Sequence, residues 1–175
     1  RHYRESRIIL VPHDAGILVE QGHKVLLQRG AGEGARFSDE EYASHGVTLV
    51  ECAEEAYKAD IILKVMPPDL DEIAMMKNRQ FLFSTLNYND KNRPYYLALM
   101  QKKITAFCLE SIRDDDGSYP VIRAMSEIAG NACIYLASRY LSDPQMGQSR
   151  MLGGFSGIDP VEIVILGAGT VSLDR

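Results

Sequence analysis

A glycine-rich turn near the end of the sequence has the residue types that a nucleotide diphosphate requires. The apolar run at residues 161–166 leads directly into Gly167, Ala168 and Gly169. In a dinucleotide-binding turn the first glycine permits the tight bend, and the second lets the backbone approach the pyrophosphate at the following helix N-terminus. The third fingerprint position is Ser172, neither Gly nor Ala. The pattern therefore predicts either part of a cofactor site or an ordinary tight turn after a strand.

A second glycine-rich turn, GAGEGA at residues 30–35, is a rival cofactor site. It follows an apolar run, and Glu51 closes the next run at about the distance expected of a ribose-binding acid. However, Ser38 and Glu41 form a capping box, which predicts that the helix begins at Ser38. The glycines then precede the helix instead of forming its N-terminus, so we interpret this segment as a wide, flexible turn.

Short apolar runs alternate with helical patterns along most of the chain. The predicted strands are residues 8–11, 25–27, 47–50, 61–65, 81–86, 104–109 and 161–166. The predicted helices are residues 13–21, 38–45, 54–59, 70–77, 94–101 and 124–141. Continuous apolar strands that alternate with helices predict an α/β fold with a parallel sheet and helices on both faces.

Composition and charge narrow the class of protein. A net charge of −5 argues against a nucleic-acid partner. Since no apolar run reaches the roughly 18 to 20 residues that span a bilayer, we expect no membrane insertion. The cysteines Cys52, Cys108 and Cys133 are odd in number and widely spaced, which suits a reducing compartment, so we expect a cytoplasmic protein. The four histidines lie at no metal-ligand spacing, and we expect no metal.

Several longer strings, in order along the chain, match one family. They are RGAGEGARFSDEEY at residues 29–42 with Gly22 and His23 before it, LKV at 63–65 before Pro68, MSEIAG at 125–130, LGG at 152–154 with Gly157, and VILGAGT at 164–170. The chain resembles the alanine dehydrogenase family, whose N-terminal domain is shared with the soluble subunit of proton-pumping nicotinamide nucleotide transhydrogenase. The MSEIAG and LGG strings favour the dehydrogenase branch.

The resemblance implies a fold, a reaction and partners. It implies a Rossmann-like substrate domain at residues 1–123, a connecting helix and glycine-rich loop at 124–159, and at 160–175 the start of a truncated NAD-binding Rossmann domain with its first strand. The implied reaction is the reversible oxidative deamination of L-alanine to pyruvate and ammonia, with hydride transfer to NAD. NADP stays open as the alternative cofactor. Implied partners are a small amino-acid or 2-oxo-acid substrate and further copies of the protein, as a dimer or hexamer.

The resemblance also assigns roles to individual residues. Arg7 matches the arginine that binds the substrate carboxylate, and a guanidinium suits that role because it can form a bidentate, charge-assisted pair. Ser126 matches a cofactor-contacting serine. The phosphate-binding turn matches Gly167, Gly169, Thr170 and Val171. Without the resemblance, Arg7 would be interpreted as a solvated charge beside a strand, and Ser126 as a helix cap ahead of Glu127.

Two positions differ from the family pattern, and both carry chemistry. Met66 stands where the family has a lysine that binds the substrate oxo group, and Asn87 stands at the position of the family's acid/base histidine. Neither side chain exchanges a proton near pH 7. Three interpretations stay open: a divergent dehydrogenase in which Lys64 substitutes, since residues two apart on a strand share a face; an enzyme for another amino acid; or a transhydrogenase-like protein that binds nucleotide without dehydrogenase chemistry.

Overall fold

The computed structural model describes residues 5–86, 92–167 and 169 of the 175-residue chain. The chain divides into two compact units, Arg1–Ser111 and Ile112–Arg175. The three functional domains, at residues 1–123, 124–159 and 160–175, stay a prediction.

The first unit alternates strands and helices. Its strands are β1 (Leu26–Gln28), β2 (Thr48–Val50), β3 (Ile61–Leu63), β4 (Phe81–Ser84) and β5 (Thr105–Cys108). Its helices are α1 (Pro12–Glu20), α2 (Asp39–Ser44), α3 (Ala53–Ala56), α4 (Leu70–Met75) and α5 (Arg93–Gln101), with short 3-10 helices at Glu33–Ala35 and Leu109–Ser111. A helix separates each strand from the next, which is the connection that parallel pairing requires.

All described strand pairs are parallel, and they form two sheets. β1 pairs with β2, while β3, β4 and β5 form a three-stranded sheet in that order. In the larger sheet Ile62 lies beside Leu82, and Leu82 lies beside Ala106. The predicted α/β fold with parallel strands is thus confirmed, although the strands are divided between two sheets.

Each sheet has its own apolar core. The core of the larger sheet consists of six buried residues, which are Tyr57, Ile62, Ile73, Met76, Leu82 and Leu99. The core of the smaller sheet consists of Ala15, Tyr42 and Val47, with Ile8 and Leu10 packed against it. Tyr42 is 1% exposed, and its hydroxyl donates a hydrogen bond to the carbonyl of Leu10 (2.8 Å). This bond satisfies the one polar atom of a buried tyrosine side chain.

Local capping signals fix where two helices begin. The capping box predicted at Ser38 and Glu41 is confirmed: the Ser38 hydroxyl accepts from the Glu41 backbone, and the Glu41 carboxylate accepts from the Ser38 backbone. A second capping box, formed by Asp69 and Glu72, begins α4. Such pairs satisfy two of the orphan N–H groups at a helix N-terminus.

Two predicted strands are not formed in the described residues. Residues 8–11 lie in irregular backbone ahead of α1, and Leu10 bonds to the Tyr42 side chain instead of a neighbouring strand. Residues 161–166 also pair with no strand, and Leu166 is 94% exposed. Both segments are apolar enough to be strands, but a strand exists only where another strand offers its backbone groups.

The second unit contains a single long helix among its described residues, α6 (Pro120–Ser142). It begins four residues before the predicted start at residue 124, because Pro120 stands at the first helical turn, where its missing N–H costs nothing. Among the residues that the structure describes, no helix has the length and apolar character needed to cross a membrane.

The turn at residues 30–35 is more tightly packed than predicted. Residues 33–35 form a 3-10 helix, and Gly32 is buried. A Cβ atom on Gly32 would lie 2.6 Å from Cε2 of Tyr42 and 2.8 Å from the carbonyl oxygen of Phe37. The interpretation of this segment as a wide turn was therefore wrong: Gly32 is required because the Tyr42 ring packs directly against its backbone.

This packing predicts that Gly32→Ala destabilises the first unit. Because the added methyl group would overlap the Tyr42 ring, we expect the free energy of unfolding to fall by roughly 1–3 kcal/mol. Urea denaturation measures the change. Gly153→Ala is the control, because a Cβ atom there meets nothing within 4 Å. Equal stability of the Gly32 variant and the wild type would contradict the packing described here.

Candidate active site

A cleft of about 1320 Å³ lies within the first unit. Gly30 and Ala31, which follow β1, and the segment Lys64–Val65–Met66, which follows β3, are among its lining residues. In open parallel α/β sheets, ligands bind at the carboxyl ends of the strands. The cleft runs along the whole of β1 and β3 and includes the segments that follow both strands, which is the edge at which such a fold binds ligands.

Arg7 lines this cleft and is paired with a carboxylate. Its Nε and Nη2 atoms donate to the two carboxylate oxygens of Glu5, at 2.8 Å and 2.7 Å. This is the two-bond geometry in which a guanidinium binds any carboxylate. The hydrogen bond from the Arg7 side chain, more than any other cause, lowers the pKa of Glu5 to about 2. Arg7 thus faces the cleft in a geometry that suits carboxylate recognition.

Lys64 also lines the cleft, and it is held by Glu72. Its Nζ lies 2.5 Å from both carboxylate oxygens of Glu72, and the two side chains are 23% and 15% exposed. The Glu72 carboxylate also accepts from the Asp69 backbone (2.9 Å). A lysine bound in this way is a fixed positive charge, whereas the prediction that Lys64 substitutes in catalysis needs it to reach a substrate.

Glu72 has a second neighbour in the buried Tyr57. Burial, followed by the nearby Glu72 carboxylate, raises the pKa of the Tyr57 hydroxyl. Burial also raises the pKa of Glu72, but the hydrogen bond from Lys64 and that from the Asp69 backbone more than offset it, so the pKa lies below its usual value. Glu72 is therefore an ionised carboxylate between a cation and a buried phenol.

Of the two positions that depart from the family pattern, the structure describes Met66 but not Asn87. Met66 lines the cleft and is 38% exposed, so an apolar thioether faces the space in which a substrate would lie. Asn87 lies outside the described residues. Its predicted role is not tested.

A carboxylate that the sequence did not single out lies at the ends of β4 and β5. Glu110 accepts from the Cys108 thiol (2.8 Å) and from the backbone of Leu86 (3.2 Å). Burial raises the pKa of Glu110, and these hydrogen bonds lower it below its usual value. Glu5, Glu72 and Glu110 were all missed, and the only signals were local: Glu72 completes a capping box, and Glu5 stands two residues from Arg7.

The predicted cofactor residues lie in the second unit. Ser126 is half-buried in the interior of α6, whose N-cap is Tyr119, so the alternative interpretation of Ser126 as a helix cap was wrong. Gly167 has a φ of 109°, which favours glycine, and a Cβ atom on Gly169 would meet nothing within 4 Å. Both glycines are exposed to solvent. Thr170 and Val171 lie outside the described residues.

Neither a disulfide nor a metal centre is seen within the described ranges. Cys52, Cys108 and Cys133 are free thiols. No cluster of three or more His, Cys, Asp and Glu side chains there is arranged to hold a metal ion.

Comparison with known proteins identifies the family. The family model described as alanine dehydrogenase/PNT, N-terminal domain, matches residues 1–129. The chain belongs to this family. It is 37% identical to an alanine dehydrogenase of Methanococcus maripaludis over 168 residues, which are 95% of this chain and 45% of that protein. An alanine dehydrogenase of Mycobacterium tuberculosis is 33% identical over 167 residues, again 95% of this chain and 45% of that protein.

Solved structures of the family agree with this assignment. An L-alanine dehydrogenase matches 99% of this chain and 48% of its own, with a TM-score of 0.93 and 34% identity. A transhydrogenase from Sinorhizobium meliloti matches 82% of this chain and 43% of its own, with a TM-score of 0.74 and 25% identity. The chain thus spans less than half the length of these alanine dehydrogenases, which are oxidoreductases by name.

The Lys64–Glu72 pair generates a prediction about stability and pH. Glu72→Gln removes the charge that holds Lys64, and we expect the free energy of unfolding at pH 7 to fall by roughly 1–3 kcal/mol. The pKa of folded Glu72 is depressed below its ordinary value of 4.5. Its contribution is therefore present above pH 4.5 and is lost as the pH falls through the folded pKa.

Urea denaturation of the wild type and the variant at pH 7 and at pH 4 measures this effect. We expect the difference between them to be smaller at pH 4. Glu20→Gln is the matched control, because Glu20 is an exposed carboxylate at the end of α1, and it should change stability by less than about 0.5 kcal/mol. A difference that is the same at both pH values would show that the ionised Glu72 does not stabilise the fold.

Proposed function

We propose that this chain is the substrate-binding part of an NAD-dependent alanine dehydrogenase, which converts L-alanine reversibly to pyruvate and ammonia. The observation that carries the proposal is the position of Arg7, which lines the cleft and whose guanidinium already binds a carboxylate through two N–H groups. Alanine and pyruvate each carry one carboxylate. The alanine dehydrogenases similar to this chain support the choice of substrate.

The second unit would contribute residues that bind the cofactor. Gly167 and Gly169 would hold the NAD pyrophosphate, since both glycines are exposed and neither carries a side chain that would keep a phosphate from the backbone. Ser126 would contact the cofactor from α6. When bound, NAD supplies the hydride acceptor of the reaction. NADP is the alternative cofactor.

The residues available for acid/base chemistry differ from the family pattern. Met66 offers the substrate an apolar contact in place of a cation. Lys64 is the nearest cation along the same segment, and its charge is fixed by Glu72. We propose that Lys64 stabilises the substrate oxo group electrostatically, and that Asn87 orients the substrate through its amide without exchanging a proton.

A second candidate function is nucleotide binding without dehydrogenase chemistry, as in a transhydrogenase-like subunit. It is supported by the similarity to the S. meliloti transhydrogenase and by the apolar Met66 in the cleft. For both candidates we expect a cytoplasmic protein that forms a dimer or hexamer with copies of itself.

The proposal predicts that the full-length protein reduces NAD when L-alanine is present, and that Arg7→Lys raises KM for alanine. Lysine keeps the charge but loses the two-bond geometry. Because a hydrogen bond to a charged group contributes about 1.5–3 kcal/mol, we expect a rise in KM of roughly tenfold to a hundredfold. Steady-state kinetics, followed by the absorbance of NADH, measures the rate of NAD reduction and KM for alanine.

Arg29→Lys is the control, because Arg29 also lines the cleft but is paired with Glu51. It should leave KM within about twofold of the wild type. If no amino acid supports NAD reduction while calorimetry shows tight NADH binding, the dehydrogenase proposal fails and the nucleotide-binding function stands. If calorimetry also shows no nucleotide binding, both functions fail, and a structural or interaction domain is favoured.

A further inference from the structure

We propose that Glu5 and Gly34 together position Arg7, and that Glu5 is a positioning residue for recognition of the substrate carboxylate. This inference rests on the proposed function, because it assigns Arg7 to the substrate. Arg7 lies in a segment with no strand pairing among the described residues, so other contacts hold its guanidinium in place.

Glu5 is the anchored member of its pair with Arg7. The Glu5 side chain is 17% exposed, whereas that of Arg7 is 48% exposed. Glu5 Oε1 accepts from both the backbone N–H (2.9 Å) and the side-chain Nε (2.8 Å) of Arg7, and Oε2 accepts from Nη2 (2.7 Å). One carboxylate thus fixes the backbone and the guanidinium of the same residue, which restricts the side-chain angles of Arg7.

Glu5 stays ionised at neutral and mildly acidic pH. The pKa of Glu5 is lowered to about 2, chiefly by the hydrogen bond from Arg7. Glu5 is therefore a carboxylate at neutral pH, and its contact with Arg7 does not switch off in mildly acidic solution. The arrangement is a constant feature of the cleft.

Gly34 fixes the backbone of the same segment. A Cβ atom on Gly34 would lie 3.0 Å from Cα of Ser6, 3.1 Å from its carbonyl oxygen and 3.2 Å from its Cβ. Ser6 stands between Glu5 and Arg7, so a side chain at position 34 would push the backbone that carries both charges. The turn at residues 30–35 therefore serves as a platform for the Arg7 segment, because Gly34 allows the two backbones to approach closely.

Glu5 could instead compete with the substrate for Arg7, and removing Glu5 would then change substrate binding in the opposite direction. If Glu5 were an internal competitor that occupies the guanidinium in place of the substrate, its removal would tighten substrate binding. If it positions Arg7, its removal weakens substrate binding, because the guanidinium then loses the two hydrogen bonds that Glu5 provides. The structure favours positioning, since Glu5 is the less exposed partner and also binds the backbone of Arg7.

The test uses Glu5→Gln and Gly34→Ala in the full-length protein. For each variant we expect KM for L-alanine and for pyruvate to rise on the order of tenfold, since a charge-assisted pair or its alignment is lost. We expect kcat to stay within about twofold, because it measures the turnover of substrate that is already bound. We expect the NADH dissociation constant to be unchanged, because Arg7 is assigned to the substrate and not to the cofactor. Glu51→Gln is the matched control, since it removes a carboxylate from Arg29 instead of Arg7, and its KM should match that of the wild type.

A double variant separates positioning from a general structural effect. With Arg7→Lys present, Glu5→Gln should raise KM no further, because the residue it positions has already changed. A fall in KM, an unchanged KM, or an additive rise in the double variant would each overturn the inference. Since Gly34→Ala keeps Glu5, it decides the outcome if Glu5→Gln does not fold. If Arg7→Lys alone leaves KM unchanged, the proposed function fails instead.

Discussion

The tether between Tyr42 and Leu10 is the interaction on which the candidate site depends. The segment that carries Glu5, Arg7 and Leu10 contributes to neither described sheet, so no strand ladder fixes its position. Instead the Tyr42 hydroxyl binds the Leu10 carbonyl, and Ile8 and Leu10 pack onto the small core. A buried hydroxyl without a partner would cost free energy. The same bond therefore completes the core and sets where the arginine lies.

The glycines of the turn at residues 30–35 follow from this constraint. Gly32 gives the Tyr42 ring its space, and Gly34 gives the backbone of Ser6 its space. Sequence motifs of this kind are often interpreted as phosphate-binding loops. Here two glycines serve close packing, and the cleft beside them is shaped by side chains that the packing holds in place.

Two of the cations that line the cleft are paired with carboxylates of the chain itself. Arg7 is paired with Glu5, and Lys64 is paired with Glu72. Such pairing keeps each charge in a single orientation. With Met66 in the same cleft, the lining combines two ion pairs with an apolar side chain.

Local signals in the sequence predicted much of the fold. The Ser38 capping box was readable because its two members are three residues apart, and the alternation of apolar runs and helices gave the parallel α/β class. What failed depends on distant partners. The apolar runs at residues 8–11 and 161–166 looked like strands, but strand formation needs a partner that no local pattern specifies. Glu110 likewise accepts a hydrogen bond from Leu86, 24 residues away, so this contact could not be predicted from its neighbours in sequence.

The most direct test of the central claim is a crystal structure of the full-length protein with pyruvate and NADH bound. We predict that the pyruvate carboxylate lies in the cleft of the first unit, within about 3 Å of the Arg7 guanidinium nitrogens, with Glu5 still bound to Arg7. A pyruvate carboxylate held by other residues, out of reach of the Arg7 guanidinium, would contradict this placement.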